Sequence, residues 1–282
     1  MAAVGAAVPF FERQPALPAG GRRGAPSRHH RFLRWRRRGR PSDIRAHHRD
    51  DRAGADAGTP ARSPSPAPAS LLDVGGGPGV HARWLTDSGY RVLVVDPVEK
   101  HVRQARDHGL AAAVGDARDL DHVDGSFDAV LMLGPLYHLP DGSERARAWR
   151  EAHRVVKPGG LVAAAALNRY AKLLDLDSPG ALDIAATGLR TRRDGPTTYY
   201  HDLAGLGAEA RQAGLRDLAV YGLHGPAYEA LRAEERRTGR KDLGEQALET
   251  ALAAARFTDG HPDLAVSSLH LLIVARRPHS AV

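Results

Sequence analysis

Cysteine is absent from this chain of 282 residues. Disulfides and thiolate metal sites are therefore excluded, which fits a reducing compartment, and the expected location is the cytoplasm. No run of about 18 apolar residues occurs, so no membrane span is expected. Met1 to Phe10 is mildly apolar but has no basic stretch before it, which argues against a secretion signal. Histidine is plentiful at 15 residues, yet none falls at H-x-x-x-H or H-E-x-x-H spacing. The pairs His29-His30 and His47-His48 read as composition, and no metal site is expected. Neither a G-x-S-x-G elbow nor a Walker-type lysine loop is present, so neither signature points to serine hydrolysis or P-loop nucleotide chemistry.

Charge is unevenly spread. The formal net charge is +7, yet residues 1–69 hold 14 arginines against 5 acidic residues, and the remainder carries 26 basic against 28 acidic residues. A nucleic-acid argument from charge thus applies to the first segment alone. That segment loses apolar periodicity after Phe11, carries the cationic run Arg31 to Arg40, and ends in a Pro/Ser/Ala linker, Thr59 to Ser70. It is expected to be mostly disordered, a solvated and self-repelling basic tail. The alternative is an RNA- or DNA-contacting arm in which Phe32 and Trp35 stack on bases.

From Ser70 the pattern changes. Leu71 to Val74, Arg91 to Asp96, Ala111 to Asp116, Phe127 to Gly134, Leu161 to Leu167, Leu218 to Leu223 and Ser268 to Arg276 read as strands. Val80 to Ser88, Val98 to His108, Glu144 to Val156, Asp202 to Ala213 and a broken stretch from Ala227 to Phe257 read as helices, several closed by glycine. Residues 169–199 interrupt the alternation with a short helix, Lys172 to Leu176, and a turn at Gly195-Pro196. They read as an insertion over the carboxyl ends of the strands. Alternating strands and helices of these lengths imply right-handed βαβ units and a doubly wound, Rossmann-like, mainly parallel α/β sheet.

The strand from Leu71 runs into Asp73-Val74-Gly75-Gly76-Gly77-Pro78-Gly79. Glycine lets such a turn adopt positive φ and lets a ligand approach the backbone. The following helix points its first N–H groups at the same place. The glycines fall as G-x-G-x-G, whereas a dinucleotide site spaces its third glycine one position later, which argues against NAD. Asp96 ends the second strand, 19 positions after Gly77. A carboxylate there suits both hydroxyls of a ribose, or it opens the loop before Pro97.

These residues, with Gly115-Asp116-Ala117, Asp124-Gly125-Ser126-Phe127-Asp128 and Lys157-Pro158-Gly159-Gly160 in that order, resemble the class I S-adenosylmethionine-dependent methyltransferases of the type 11 branch. The run Leu133-Gly134-Pro135-Leu136-Tyr137-His138-Leu139 narrows the resemblance to one subgroup. It implies a seven-stranded sheet with the last strand antiparallel. It also implies a methyltransferase moving a methyl group from S-adenosylmethionine to an O, N or C nucleophile on a small-molecule acceptor.

The resemblance places the cofactor at Asp73, Gly75, Gly76, Gly77, Gly79, Asp96, Pro97, Asp116, Ala117, Leu133 and Gly134. Asp73 would supply negative charge near the methionine ammonium, or else stabilise the turn. Asp116 would accept from the adenine amino group while the Ala117 N–H meets a ring nitrogen, or Asp116 would cap the next turn. Tyr137, His138, Tyr199 and Tyr200 are candidate acceptor-site residues, with His201, Tyr221, His224 and Tyr228 as further candidate walls. His138 is the weak candidate for a general base, since imidazole titrates near neutrality; a sulfonium leaving group needs little such help, so no catalytic residue is assigned.

Residues 41–69 contain no aromatic residue, whereas relatives close an aromatic-bearing segment over the cofactor. The cover comes from 169–199, or the tail folds on binding, or this N-terminus is altered. The expected organisation is a basic segment over 1–69 and a methyltransferase domain over 70–282. The competing readings are an RNA methyltransferase using the basic arm and a non-catalytic relic with a damaged cap.

Overall fold

The computed structural model describes residues 66–174, 180–193, 195–239, 245–259 and 261–279. The basic arm, with Arg31 to Arg40, Phe32 and Trp35, lies outside the described residues, as does Leu176 of the short helix expected after Lys172.

Strands β1 (Ser70–Val74), β2 (Arg91–Asp96), β3 (Ala111–Val114), β4 (Phe127–Met132) and β5 (Val156–Asn168) pair in parallel in the order β3-β2-β1-β4-β5. Beyond β5 lies β9 (His270–Arg276), antiparallel to it, and then β8 (Arg216–Gly222), antiparallel to β9. Of these seven strands β9 alone runs against the rest, as expected. Leu71 to Val74 and Leu161 to Ala166 are buried on both faces. Such strands carry continuous apolar runs because helices cover both sides of a parallel sheet.

Two helices, α1 (Val80–Asp87) and α2 (Glu99–Asp107), link the strands that step from β1 towards β3. Helix α3 (Gly142–Val155) links β4 to β5 in the opposite direction. Right-handed crossovers in opposite directions put α1 and α2 on one face and α3 on the other. The α3 face packs Ala148, Trp149, Ala152 and Val155 against Leu72, Val74, Val130, Met132, Val162 and Ala164 in one cluster. Helix α5 (Leu203–Gln212) adds Leu206 and Ala210 to it. The direction of winding reverses between β1 and β4, which leaves a crevice at their carboxyl ends where ligands of open α/β sheets bind.

The interruption at 169–199 contains a 3-10 turn (Ala171–Leu174), helix α4 (Ala181–Thr187) and two strands absent from the sequence reading, β6 (Leu189–Thr191) and β7 (Thr197–His201). They form a hairpin, and β7 pairs parallel with β5 through Leu167↔Tyr200 and Asn168↔His201. Leu167 also pairs with His270 on β9. Strand β7 must therefore occupy the opposite flank of β5, the β4 flank, where pairing with β4 has ended at Ala164. Among the described residues the sheet has nine strands, and the extra pair extends it past the carboxyl end of β4.

Boundaries differ from expectation in instructive places. Strand β3 stops at Val114, and Asp116 sits in a turn bridged to Asp119. Helix α3 starts at Gly142 because the Asp141 side chain accepts the Ser143 and Glu144 N–H groups. Strand β5 starts at Val156, running through Lys157 to Gly160 with a register shift opposite Phe127 and Ala129. The long helical stretch divides into α6 (Ala227–Thr238), which Gly239 ends, and α7 (Glu245–Asp259). A 3-10 turn (Pro262–Ser267) precedes β9. Among the described residues, no helix is long and apolar enough to cross a membrane.

Candidate active site at the carboxyl ends of the strands

The glycine turn after β1 and the turn after β4 meet at the crevice. Gly75 takes φ 66°, and a Cβ built there would lie 2.8 Å from Pro135 Cγ. Close approach to the second turn thus demands glycine. A Cβ on Gly134 would lie 3.3 Å from the Gly75 carbonyl oxygen and 3.6 Å from the Tyr137 hydroxyl. Gly77 differs. Its φ is 58°, and a Cβ there meets none of the described residues within 4 Å. The turn opens onto space at this point.

Asp96, at the end of β2, holds that turn. Its Oδ2 accepts the Gly77 N–H at 2.8 Å, and its Oδ1 accepts the Val98 N–H at 2.9 Å and lies 3.0 Å from His101 Nδ1. Pro97 is exposed beside it. Asp73 lies beneath the turn, fully buried. Neither of its carboxylate oxygens has a hydrogen-bond partner among the described residues. A Cβ on Gly76 would come within 2.6 Å of Asp73 Oδ2, so the carboxylate lies directly against the turn. Burial pushes the Asp73 carboxyl up to about 7; the Ala82 N–H, outside hydrogen-bonding geometry, opposes the rise, and the Asp96 carboxylate adds to it.

Asp116 is half-exposed and engaged. Its Oδ1 accepts the Arg118 N–H at 2.8 Å and Arg118 Nε at 2.8 Å, and its Oδ2 accepts Nη2 at 2.6 Å. That hydrogen-bonded guanidinium holds the Asp116 carboxyl below the usual range. Arg118 also pairs with Glu144 at the start of α3. Ala117 is buried. Leu133 and Gly134 follow β4 and lead into the 3-10 turn Pro135–His138. Tyr137 is half-buried, and desolvation raises its phenol. The His138 ring lies 4.7 Å from it and is exposed, with its imidazole lowered by partial desolvation against an opposing effect of the Asp96 charge.

Two of the shared sequence runs lie at the other end of the sheet. Asp128 Oδ2 accepts the Ser70 N–H at 2.8 Å, and its Oδ1 accepts Lys157 Nζ at 2.7 Å. Asp124 pairs with Arg154. These residues fasten β1, β4 and β5 where the strands begin and stand apart from the crevice.

Comparison with known proteins identifies the family. The family model for a methyltransferase domain matches residues 72–164. The 27-O-demethylrifamycin SV methyltransferase of Amycolatopsis mediterranei (strain S699) is 31% identical over 227 residues, covering 74% of this chain and 77% of that protein. The chain belongs to the S-adenosylmethionine-dependent methyltransferases. The ubiquinone biosynthesis O-methyltransferase of Xanthomonas oryzae pv. oryzae (strain PXO99A) is 32% identical to this methyltransferase over 187 residues, 63% of this chain and 74% of that one. A solved S-adenosylmethionine-dependent methyltransferase from Methanosarcina mazei shares the fold at a TM-score of 0.52 with 20% identity, over 75% of this chain and 93% of that chain.

The remaining candidates divide between two places. Tyr199 and His201 alternate with Tyr200 on β7, so they face the other way. Tyr200 is buried and pairs with Leu167. The Tyr199 ring lies under the Arg145 guanidinium, 3.5 Å from Cζ to centroid. Tyr228 and His224 stack at 4.3 Å, and His224 meets His270 at 4.8 Å; His270 meets Tyr137 at 6.4 Å. An aromatic row thus runs from α6 across the first residue of β9 to the post-β4 turn. His270 was not singled out in the sequence, and neither were Arg145 and Glu209, which hold the Tyr199 side together. A signal for Arg145 existed. It shares the stripe Arg145, Ala148, Trp149, Ala152, where a charge on an apolar helix face requires a partner.

Proposed function

We propose that residues 70–282 form one methyltransferase domain that binds S-adenosylmethionine across the carboxyl ends of β1, β2 and β3 and methylates a small hydroxylated acceptor beside Tyr137 and His138. The observation that carries this reading is the open space at Gly77 with an unpartnered buried carboxylate, Asp73, beneath the same turn. A cationic ligand suits a buried carboxylate that has no other partner. Asp96 keeps acceptor capacity towards a ribose, since each carboxylate oxygen can take more than one donor. Asp116 and Ala117 are the residues for the adenine, and Leu133 and Gly134 border the methionine end. S-adenosylmethionine supplies an electrophilic methyl group on a sulfonium when bound.

The chain's own residues then position and deprotonate the acceptor. Burial keeps the Tyr137 phenol protonated, a hydrogen-bond donor at the edge of the glycine turn. His138 is neutral at pH 7 because partial desolvation lowers its imidazole, so a ring nitrogen can take the hydroxyl proton. Alignment of the acceptor supplies much of the rate. An oxygen acceptor is supported by the relatives, which are named a ubiquinone biosynthesis O-methyltransferase and a 27-O-demethylrifamycin SV methyltransferase. Strand β7 supplies the cover on the β4 flank.

The test is incubation of the full chain with methyl-labelled S-adenosylmethionine and a fractionated extract. Saturable cofactor binding by calorimetry and label in the small-molecule fraction are expected. Label confined to RNA, with salt-sensitive binding that disappears on deleting residues 1–69, would establish the nucleic-acid reading instead. A folded chain with no cofactor binding overturns both.

A further inference from the structure

Arg145 is 5% exposed, although it carries a charge. Its Nε donates to Glu209 Oε1 at 2.8 Å, and its Nη1 donates to the carbonyls of Leu139 and Pro140, each at 2.9 Å. The face of the guanidinium covers the Tyr199 ring. Glu209 Oε2 accepts Trp149 Nε1 at 3.1 Å and lies 3.2 Å from His201 Nε2. Burial alone would raise the Glu209 carboxyl, but the bonds from His201 and Arg145 carry it below the ordinary range. As an anion it accepts from the Trp149 indole and from the Arg145 guanidinium.

A buried ion pair of this kind is a poor source of net stability, because desolvation offsets most of the attraction. What it does supply is a fixed geometry, and its reach shows which. The two carbonyls belong to the residues directly after Tyr137 and His138. Tyr199 and His201 belong to β7, which packs against the 3-10 turn carrying Tyr137 and His138. One guanidinium therefore joins the post-β4 segment on one side to the added strand on the other, with Glu209 of α5 and Trp149 of α3 behind it. None of these atoms belongs to the glycine turn.

We propose that Arg145 and Glu209 are positioning residues for methyl transfer, a clamp that sets Tyr137 and His138 against β7 without touching the cofactor. The proposal rests on the acceptor being held beside Tyr137 and His138. It separates two properties that a general loss of structure would move together, cofactor affinity and turnover.

The test uses the full chain carrying Glu209→Gln, isosteric but unable to accept from Trp149 at Oε2 when its amide nitrogen stands there, and Arg145→Lys, which keeps the charge and loses the fork. Two readouts are taken from each variant that folds. The first is turnover of label at saturating S-adenosylmethionine beside the calorimetric Kd for the cofactor. The second is the titration of the His138 imidazole by NMR with 13C-histidine, assigned by its loss in His138→Gln. Turnover is expected to fall about tenfold or more, the scale of an ångström-level misplacement, with the cofactor Kd within about twofold of the parent. The His138 midpoint is expected to move up, towards that of a solvated imidazole. Unchanged turnover in a folded variant overturns the proposal, as does an unmoved His138 titration. Turnover and cofactor affinity falling in parallel overturn it too, because that marks a purely structural pair. If the parent itself transfers no label, the proposed function fails, and the His138 titration alone still decides whether the clamp positions that side chain.

Discussion

The Gly77 N–H donates to Asp96 Oδ2 at 2.8 Å. This bond joins the turn after β1 to the last residue of β2 and makes the carboxylate part of the turn's architecture before any ligand arrives. Asp96→Asn removes the charge and puts an amide donor where one of two acceptors stood. Hydrogen bonds to charged groups contribute about 1.5–3 kcal/mol, so the variant is expected to lose stability on that scale. It is also expected to bind S-adenosylmethionine at least about tenfold more weakly, since the turn and the ribose partner are disturbed together. Thermal unfolding and calorimetry measure the two effects. A variant with lowered stability and unchanged affinity would separate Asp96 from the cofactor.

The glycines of the turn predict different failures. At Gly75 an added Cβ meets Pro135 at 2.8 Å, so Gly75→Ala is expected to destabilise the fold by about 1–3 kcal/mol through overpacking and left-handed strain. At Gly77 nothing described lies within 4 Å of the added atom. Gly77→Val then pays mainly the backbone strain, about 1–2 kcal/mol, while its branched side chain fills the space the cofactor needs. Cofactor affinity falling far more than stability in Gly77→Val, and the reverse order in Gly75→Ala, is the expected pattern. Retained affinity in Gly77→Val means that the turn is not the site.

Much of this was legible because the sheet announces itself. Leu71 to Val74 and Arg91 to Asp96 are short apolar runs bounded by glycine, and helices of regular length separate them. Asp96, the acid that ends β2, could be read from position alone. What could not be read was pairing across long separations. Strand β6 has 3 residues and β7 has 5. Both lie among arginine, glycine and proline, and only the exposed flank of β5 beyond Ala164 gives β7 a place. Sequence offers Asp116 as an adenine acceptor or a cap for the next turn, whereas in the structure Arg118, two residues on, takes both its oxygens. Arg145 and Glu209 are 64 positions apart, and each sits inside a helix whose amphipathic pattern hides one charge on the buried side.

Arg154 fastens the loop that carries Asp116 and Ala117 to α3. Its Nη1 donates to the His122 carbonyl at 2.6 Å and to Asp124 at 2.7 Å, and its Nη2 donates to the Leu120 carbonyl and Glu151, each at 2.8 Å. Glu151 in turn accepts the Leu120 N–H at 2.8 Å. Arg154→Ala leaves those carbonyls without that donor and is expected to cost about 1–3 kcal/mol. Local opening of residues 116–126 should rise with it, read as faster hydrogen exchange at the Leu120 N–H. Protection at Leu120 equal to that of the parent would show that the loop holds without Arg154.

Asp73 gives the methyltransferase a pH dependence whose sign is fixed. Its carboxyl titrates near 7 in the folded chain against an ordinary value of 3.8. Between these values the folded state keeps a proton that the unfolded state has lost, so stability falls as pH rises through the window. At about 1.4 kcal/mol for each unit, the full effect is on the order of 4 kcal/mol. Asp73→Asn removes the titrating group, so its stability relative to the parent should grow from about pH 4 to pH 7 and level off above, as measured by denaturant unfolding at each pH. Cofactor binding runs the other way. A methionine ammonium or sulfonium beside Asp73 favours the carboxylate, so binding to the parent releases a proton and tightens from pH 6 to pH 8. Calorimetry in two buffers of different ionisation enthalpy reads that proton directly. Asp73→Asn should bind more weakly, release no such proton and lose this pH dependence. It would thus be the more stable protein above pH 7 and the poorer binder, because a buried carboxylate with no hydrogen-bond partner among the described residues is destabilising until a cationic ligand neutralises it.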